Sequence, residues 1–553
     1  LRHLPLLLFL GLSACQPRQT QPSRPASLPQ EKLIQVYTNH NPASTYTEPY
    51  RQQTRSGDDL EQIIVDTISA ARSTVDVAAQ ELRLPKITAA LIARQKTGVR
   101  VRVIVENTYS RPLSSFTPEE VASLPEREQG RYREARQLMD MDGDGKLSQP
   151  EIQQRDALVM LDRARVPRID DTADGSAGSN LMHHKFVVVD GQNVIVTSAN
   201  FTTSDIHGDF KTLASQGNAN NLLKISSPEL AALFTQEFAI LWGDGPTGKP
   251  DSRFGVKKPV RPAQRIMVGS TPVAVQFSPT SATVPWSRSS NGLIGRTLSL
   301  ATRSVDLALF VFSEQRLVNL LDTSHQKGVE VRALIDPGFA YRSYSEALDM
   351  LGITLVEDCK LEPDNRPWQT PIATAGVPRL PPGDLLHHKF GIVDQQTVIT
   401  GSHNWTAAAN LGNDETVLVV ESSTVTAHFQ REFDRLYSNA ILGIPPAIQK
   451  KATAQERQCR HASGSQKLRQ GTGANTSLPQ FSNSVTSERS RELVNLNTAS
   501  QTELESLPGV GPALAKRIIA ARQKRPFASL ADLDQLQGVG PRMLANLEHR
   551  ITF

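Results

Sequence analysis

The sequence predicts an α/β protein in which two duplicated sandwich halves surround one shared site, followed by a small all-α domain. Three observations carry that prediction. Two segments repeat at an offset of 230 residues: Thr74-Val75-Asp76-Val77-Ala78 aligns with Ser304-Val305-Asp306-Leu307-Ala308, and Gly98-Val99-Arg100-Val101-Arg102 with Gly328-Val329-Glu330-Val331-Arg332. Each repeat reads as a buried strand, an amphipathic helix ending at glycine and a second buried strand, a βαβ unit that implies a mainly parallel sheet. Past Ile444 the composition shifts to Lys, Arg, Ser, Gln and Asn, and a further repeat follows at an offset of 29. The balance of the 553 residues, 39% hydrophobic and 21% charged with a net charge of +4, is that of a multidomain globular chain, only mildly basic on average.

Arg2 and His3 precede an apolar run from Leu4 to Leu12 and then Cys15. The run is too short to span a bilayer and matches the core of an export signal. Leu12-Ser13-Ala14-Cys15 resembles the bacterial lipoprotein box, in which the cysteine is lipidated. Residues 1–15 are therefore expected to be a lipoprotein signal peptide with Cys15 the lipidated residue; the alternative is an ordinary export signal with a chance cysteine. A start at Leu suggests an alternative start codon or a trimmed end. Residues 16–33, rich in Pro, Gln, Ser and Arg, are expected to form a flexible tether. The protein is placed in a bacterial cell envelope, lipid-anchored on the periplasmic or extracellular side. No stretch reaches the ~18 uninterrupted apolar residues of a spanning helix. Three cysteines exclude a disulfide scaffold and a cysteine-built zinc cluster, and leave open whether Cys359 and Cys459 pair.

The first half is assigned to 34–243, a linker to 244–270 and the second half to 271–441. Pro85 to Lys96 places Ile87, Leu91 and Ile92 on one helical face, as Leu317, Leu320 and Leu321 do in the second copy. Each half then carries the same polar constellation. The first reads His183-His184-Lys185, then Asp190, then Thr197-Ser198-Ala199-Asn200; the second reads His387-His388-Lys389, then Asp394, then Gly401-Ser402-His403-Asn404. Alternate residues of a strand share a face, so His183 points with Lys185 while His184 points away, and the second copy repeats the pattern. Asp190 and Asp394, which belong to the same motif, have the opposite parity and read as structural or orienting groups. Turns at Gly191 and at Gln395-Gln396 return the chain along a second strand.

This His-x-Lys-x4-Asp pattern, present twice, resembles the motif of the phospholipase D superfamily, and the resemblance runs from about residue 34 to 440. It implies a phosphodiesterase site with Lys185, Lys389 and the motif aspartates in the catalytic set. Ser198, Asn200, Ser402 and Asn404 would hold the phosphate oxygens, one histidine would form a phosphohistidine, and the other would act as acid and base. By resemblance His183 is the nucleophile and His387 the acid/base, although the symmetry of the sequence does not choose. The lysines supply the positive charge a catalytic metal would give. Members of the superfamily often carry an Asn-x-Glu segment after each motif, whose carboxylate orients a histidine. The second half has it, as Asn413-Asp414-Glu415, making Glu415 the candidate orienting group; the first reads Asn218-Ala219-Asn220-Asn221, without a carboxylate. Both half-sites lie in one chain, so a monomer is expected.

From Asp76 to His183 is 107 residues, against 81 from Asp306 to His387, a surplus of 26 in the first half. The surplus contains Asp140, Asp142, Asp144, Gly145, Lys146, Ser148 and Glu151 at the positions of a twelve-residue EF-hand loop, with flanking helices expected at Glu128–Met139 and Glu151–Leu161 within an insertion of 128–162. Side-chain oxygens at positions 1, 3, 5, 9 and 12 with the Lys146 carbonyl suit Ca²⁺, here expected as a structural clip. The alternative is an acidic surface turn.

Residues 442–490 are expected to be a basic flexible linker, and between Lys450 and Arg469 there are six Lys/Arg against one Glu. In 491–553, Ser500-Gln-Thr-Glu503 is a capping box. Gly509-Val510-Gly511 and Gly538-Val539-Gly540 each open a helix. These resemble tandem helix-hairpin-helix motifs, closest to the DNA receptors of bacterial competence. The glycines would let backbone N–H groups approach a phosphate at a helix N-terminus, with Lys516, Arg517, Arg522, Lys524, Arg525 and Arg542 adding contacts that read no bases. Leu544 stands where the first copy has the small Ala515, which weakens the second hairpin as a DNA contact. The chain is thus expected to be a membrane-tethered nuclease that binds DNA without sequence preference. A phospholipase D or transphosphatidylase acting on phospholipid headgroups is the alternative, and a DNA-binding tether with little turnover a third reading.

Overall fold

The computed structural model describes residues 24–176, 178–210, 212, 214–356, 359, 365–467, 494–505, 507, 510, 512–527, 533 and 551–552. The chain divides into two compact units, Leu1–Arg469 and Gln470–Phe553. In the first, one sheet runs in the order Ile34–Thr38, Asn221–Ser226, Asn193–Thr197, Lys185–Val189, Thr74–Ala79, Arg100–Val105 and Arg168–Asp170. The second repeats that order with Thr271–Ser278, Asn413–Glu421, Thr397–Gly401, Lys389–Val393, Ser304–Leu309, Glu330–Ile335 and Ala375–Val377, adding Gln264–Val268 at one edge and Ile441–Leu442 at the other.

The expected mainly parallel sheet is corrected to a mixed one. Along the two strand orders just given, parallel pairing is confined to the neighbours of Arg100–Val105 in one half and of Glu330–Ile335 in the other. The strands on the motif side pair antiparallel. The βαβ crossover accounts for the parallel step, whereas the motif strands are joined by tight hairpins, which connect only antiparallel neighbours.

The helices Pro85–Lys96 and Gln315–His325 bury Ile87, Leu91, Leu317 and Leu321 against the outer sheet faces. The inner faces share one core. Phe186 and Phe390 from the two motif strands pack with Phe234 and Phe238 of the helix Pro228–Trp242 and with Phe429 and Phe433 of the helix Ser423–Tyr437. Each buried phenyl ring contributes roughly 1.5–3 kcal/mol relative to exposure, so this shared core holds the two halves together.

At each hairpin the motif aspartate takes a left-handed conformation, φ 55° at Asp190 followed by 61° at Gly191, and 53° at Asp394 followed by 57° at Gln395. Consecutive positive φ values suit the primed turn that matches strand twist. Asp190 accepts from the backbone N–H groups of Arg72, Ser73 and Thr74 at 2.7–2.9 Å. Asp394 does the same for Thr302, Arg303 and Ser304 at 2.8–2.9 Å. Each aspartate clasps the entry to the neighbouring central strand.

Two segments expected to be flexible, and the linker between the halves, are tied down where they are described. Residues 24–33 lie against the body, with the Thr271 hydroxyl donating to Glu31 at 2.8 Å and His428 meeting the Pro29 carbonyl at 3.0 Å. The linker 244–270 buries Lys258, whose ammonium bridges Glu237 of the first half (2.6 Å) and Asp414 of the second (2.7 Å). Within 442–490, Pro446–Lys467 is a helix, and a Cys359–Cys459 disulfide with Cα atoms 5.4 Å apart fastens it to the second half. The helix expected after the acidic loop is broken in two, Gln149–Arg155 and Ala157–Arg163, because Asp156 caps the second piece through the N–H groups of Leu158 and Val159. No helix among the described residues is long and apolar enough to cross a membrane.

In the second unit, Ser500 and Glu503 cap the helix Gln501–Glu505 reciprocally, and Pro512–Lys524 follows. Leu504, Leu507, Val510, Leu514 and Ile518 form its core.

Candidate active site

Both motif strands begin at the join between the halves, and the join crosses over. The short strand Leu181–Met182 pairs with Asn413–Asp414 of the other half, and Ala219 bridges to Leu386. His183 N–H donates to the Asp414 carbonyl at 2.9 Å and His387 N–H to the Ala219 carbonyl at 3.1 Å. Each motif histidine therefore lies beside the Asn-x-Glu or Asn-x-Asn segment of the opposite half.

Glu415 orients a histidine, but not the one in its own copy: His183 Nδ1 donates to Glu415 Oε2 at 2.7 Å. The corresponding partner of His387 is Asn220, whose Oδ1 lies 3.0 Å from His387 Nδ1. The Asn220 amide nitrogen donates to the carbonyls of Asp205 (3.0 Å) and Asn218 (3.1 Å), which fixes its oxygen toward the ring. Nδ1 of His387 must then carry a proton. The missing carboxylate is supplied from elsewhere. Asp205 Oδ1 stands 3.7 Å from His387 Nδ1 and accepts from Asn218 Nδ2 at 2.5 Å. Its equivalent after the Asn of the second motif is Ala409, so sequence symmetry gave no pointer to it.

Lys185 and Lys389 are each 1% exposed. Lys185 Nζ donates to Gln80 Oε1 at 3.0 Å and to the His183 carbonyl at 2.9 Å. Lys389 Nζ donates to the His387 carbonyl at 2.5 Å and lies 4.9 Å from the Phe310 ring centroid, where the first half has Gln80. Burial pushes Lys185 down to about 8 against the pull of Glu415 and Asp205. Burial and the Lys185 charge lower Lys389 as well. Burial, then Lys185 and Lys389, also holds His183 well below the ordinary imidazole value, so its ring is neutral at pH 7.

Several sequence expectations are relocated. Ser198 and Ser402 are fully buried, and their hydroxyls donate to Asn220 Oδ1 and Glu415 Oε2, both at 2.7 Å, while accepting from the N–H groups of Asn221 and Thr416. They brace the partners of the histidines, each hydroxyl committing its proton to a side-chain oxygen and one lone pair to a backbone N–H. Asn200 and Asn404 differ: the amide oxygen of each is buried without a hydrogen-bond partner among the described residues, leaving the amides unengaged. Asp190 and Asp394 lie at the far ends of their strands from the lysines and are structural clasps, which removes them from the reacting set.

The second histidine of each motif is an anchor. His184 Nε2 meets Glu237 and His388 Nε2 meets Glu432, each at 3.0 Å. Both glutamates were missed, although Phe234-Thr-Gln-Glu237-Phe238 and Phe429-Gln-Arg-Glu432-Phe433 repeat one pattern.

In the acidic loop, the carboxylate oxygens of Asp140, Asp142 and Asp144 lie within 4.8 Å of one another. Ser148 N–H and hydroxyl donate to Glu151 (2.8 and 2.7 Å), as does Met141 N–H, and Lys146 N–H donates to Asp144 at 2.7 Å. Three converging carboxylates suit a hard cation; Glu151 is turned into the capping box of the following helix. In the second unit the Val510 side chain is buried, so that position offers only backbone, and Lys516 and Arg517 are exposed. Arg522 donates to the carbonyls of Leu496 (2.9 Å) and Ala499 (2.7 Å), a structural use. Gly509, Gly511, Gly538, Val539, Gly540, Arg542 and Cys15 lie outside the described residues.

A family profile described as "Cardiolipin synthase, PLD-like domain" matches residues 64–242 and 294–437, together more than half of the chain. A second, described as "Helix-hairpin-helix motif", matches residues 489–552. The chain is 33% identical over 156 residues to a mitochondrial cardiolipin hydrolase of Mus musculus, covering 28% of this chain and 61% of the relative. With the Homo sapiens protein of that name it is 31% identical over 154 residues, covering 28% and 53%. The alignments thus span between about half and three-fifths of these curated relatives. Among solved structures it is similar to a phosphatidylserine synthase from Haemophilus influenzae Rd KW20, with TM-score 0.46 and 13% identity over 80% of this chain and 95% of that one.

Proposed function

Because the chain belongs to the phospholipase D-like family and carries a helix-hairpin-helix motif behind that core, we propose that it hydrolyses nucleic-acid phosphodiesters through a phosphohistidine intermediate. The observation that carries the reading is the union in one chain of a two-histidine, two-lysine site with a motif class that binds DNA backbone.

The two imidazoles are prepared for different work. His183 is neutral, with its Nδ1 proton held by the Glu415 carboxylate, so the Nε2 lone pair is available to attack phosphorus. As the P–N bond forms, the P–O bond to the departing alcohol breaks and that oxygen takes a proton from His387. His387 then removes a proton from water, the water oxygen bonds to phosphorus, and the P–N electron pair returns to His183. Lys185, Lys389 and the amides of Asn200 and Asn404 stabilise the extra charge on the non-bridging oxygens, the role a metal would otherwise fill.

Hydrolysis of a phospholipid headgroup is the second reading, supported by the similarity to mitochondrial cardiolipin hydrolases over 28% of the chain. We further propose anchoring through Cys15 to the envelope, action as a monomer, and Ca²⁺ held by Asp140, Asp142 and Asp144 with the Lys146 carbonyl, Ser148 and Glu151 as the loop's remaining ligands. There the ion would fix the loop and take no part in the reaction.

The test uses protein beginning after Cys15, incubated with plasmid and linear DNA, and with phospholipid vesicles, in EDTA and in calcium. Cleavage of DNA that survives EDTA and is lost in His183→Ala and His387→Ala is expected. Salt-sensitive DNA binding without cleavage would overturn the nuclease reading, and headgroup release from the vesicles would put the lipid reading in its place.

A further inference from the structure

His387, and not His183, borders a cavity of about 310 Å³. Its near wall is Asn200, Asp205 and His387; its far wall is the helix Glu126–Met139, which presents Gly130, Arg133 and Leu138. That helix belongs to the insertion that lengthens the first half, and the second half has no counterpart to it among the described residues. The insertion thus adds a wall on the side of the histidine backed by an amide.

An in-line displacement at phosphorus places the leaving oxygen opposite the attacking nitrogen, beside the group that protonates it. Whatever alcohol departs from His183 must therefore occupy the space at His387. The cavity's charges are largely spent. Glu81 is paired with Arg83 at 3.2 Å and faces Arg131 at 3.8 Å, Glu134 accepts from Phe210 N–H at 2.8 Å, and Asp205 is held by Asn218. Arg133 is exposed at the edge and makes no ion pair among the described residues. A compact chamber of mixed polar and apolar lining, with one uncommitted guanidinium, suits a sugar and base bearing a further phosphate, and its volume offers little to a pair of acyl chains.

We propose that this cavity is the subsite for the departing nucleoside, that the insertion helix sets its size, and that Arg133 meets the next phosphate of the strand. The inference rests on the nucleic-acid reading and deepens it.

Gly130 gives a direct test. A Cβ added there meets only Arg133 Nη2, at 3.9 Å, and glycine is a poor helix former, so Gly130→Phe projects a ring into the chamber without disfavouring the helix. Two substrates are compared: a single-stranded oligonucleotide, and bis(4-nitrophenyl) phosphate, whose leaving group is one small ring. Gly130→Phe is expected to lower kcat/KM on the oligonucleotide at least about tenfold and on the small diester less than about twofold, with Tm held or raised. Arg133→Ala is expected to raise KM for the oligonucleotide with kcat unchanged and to lessen the salt slope by about one charge. Equal losses on both substrates, or none on either, overturn the subsite. A wild-type protein inert toward both overturns the phosphodiesterase reading itself, and one active only on the small diester overturns the nucleic-acid reading.

Discussion

The first and second halves hold the same His-x-Lys hairpin on the same strand order, yet place different groups behind the two imidazoles. His183 rests on a carboxylate, Glu415, and His387 on an amide, Asn220, with Asp205 a step further back. Beside the lysines, Gln80 in one half becomes Phe310 in the other. Only the first half has the insertion. A duplicated site begins with two equal bases, but the two-step chemistry needs one imidazole bare and nucleophilic and the other charged and ready to give a proton. The differences lie in the groups touching the rings, and the scaffold is left alike.

The sharpest way to break this comparison is to remove each histidine in turn. His183→Ala and His387→Ala are both expected to lose at least about 10²–10⁴-fold in turnover. Only His387→Ala should accumulate an acid-labile, base-stable phosphoenzyme, read by rapid quenching with labelled substrate. Accumulation in His183→Ala instead would exchange the two roles. Next in size, Glu415→Gln should cost on the order of 10²-fold in kcat, against about tenfold for Asn220→Ala, because a carboxylate stabilises the developing imidazolium more than an amide does. Equal losses would mean that the difference behind the rings carries no function.

A pH profile separates site from scaffold. Lys185 falls to about 8 in the folded protein through burial, so kcat/KM should decline above about pH 8 as its charge is lost. Stability follows the opposite course. Between about pH 8 and the ordinary lysine value near 10.4 the unfolded chain binds the extra proton, so this group's contribution to stability rises with pH while activity falls. Denaturation midpoints and initial rates across that range check both signs. The smallest effect concerns the acidic loop: with Ca²⁺ in excess, EDTA should lower Tm by about 2–4 °C, and Asp144→Ala should abolish that response.

How much of this was legible follows from the range of each interaction. The βαβ repeat, the hairpins and the parity of His183 with Lys185 are set by neighbours along the strand, and a period of two reads them directly. The sheet direction was misread, because the helical crossover is visible in sequence whereas the choice of the next partner strand is not. The pairing of Glu415 with His183 spans 232 residues and runs between copies, so a within-copy comparison could only name Glu415 as an orienting group. Asp205 stayed hidden because it breaks the repeat, and Ser198 and Ser402 were assigned to phosphate because spacing gives a side chain's face and not the lone pair it answers. The flexible labels on 24–33 and on the helix Pro446–Lys467 failed for a simpler reason: polar composition describes a surface, and these segments lie on one.

The exchange of orienting groups across the join has an evolutionary consequence. In a tandem duplication each copy is ordinarily free to decay while the other carries the work. Here the group that holds each imidazole is encoded in the other copy, so a lesion in either disables both. The two halves descend as a single heritable unit, and a change at Glu415 or Asn220 must find its compensation near His183 or His387 respectively, about 170–230 residues away in the chain.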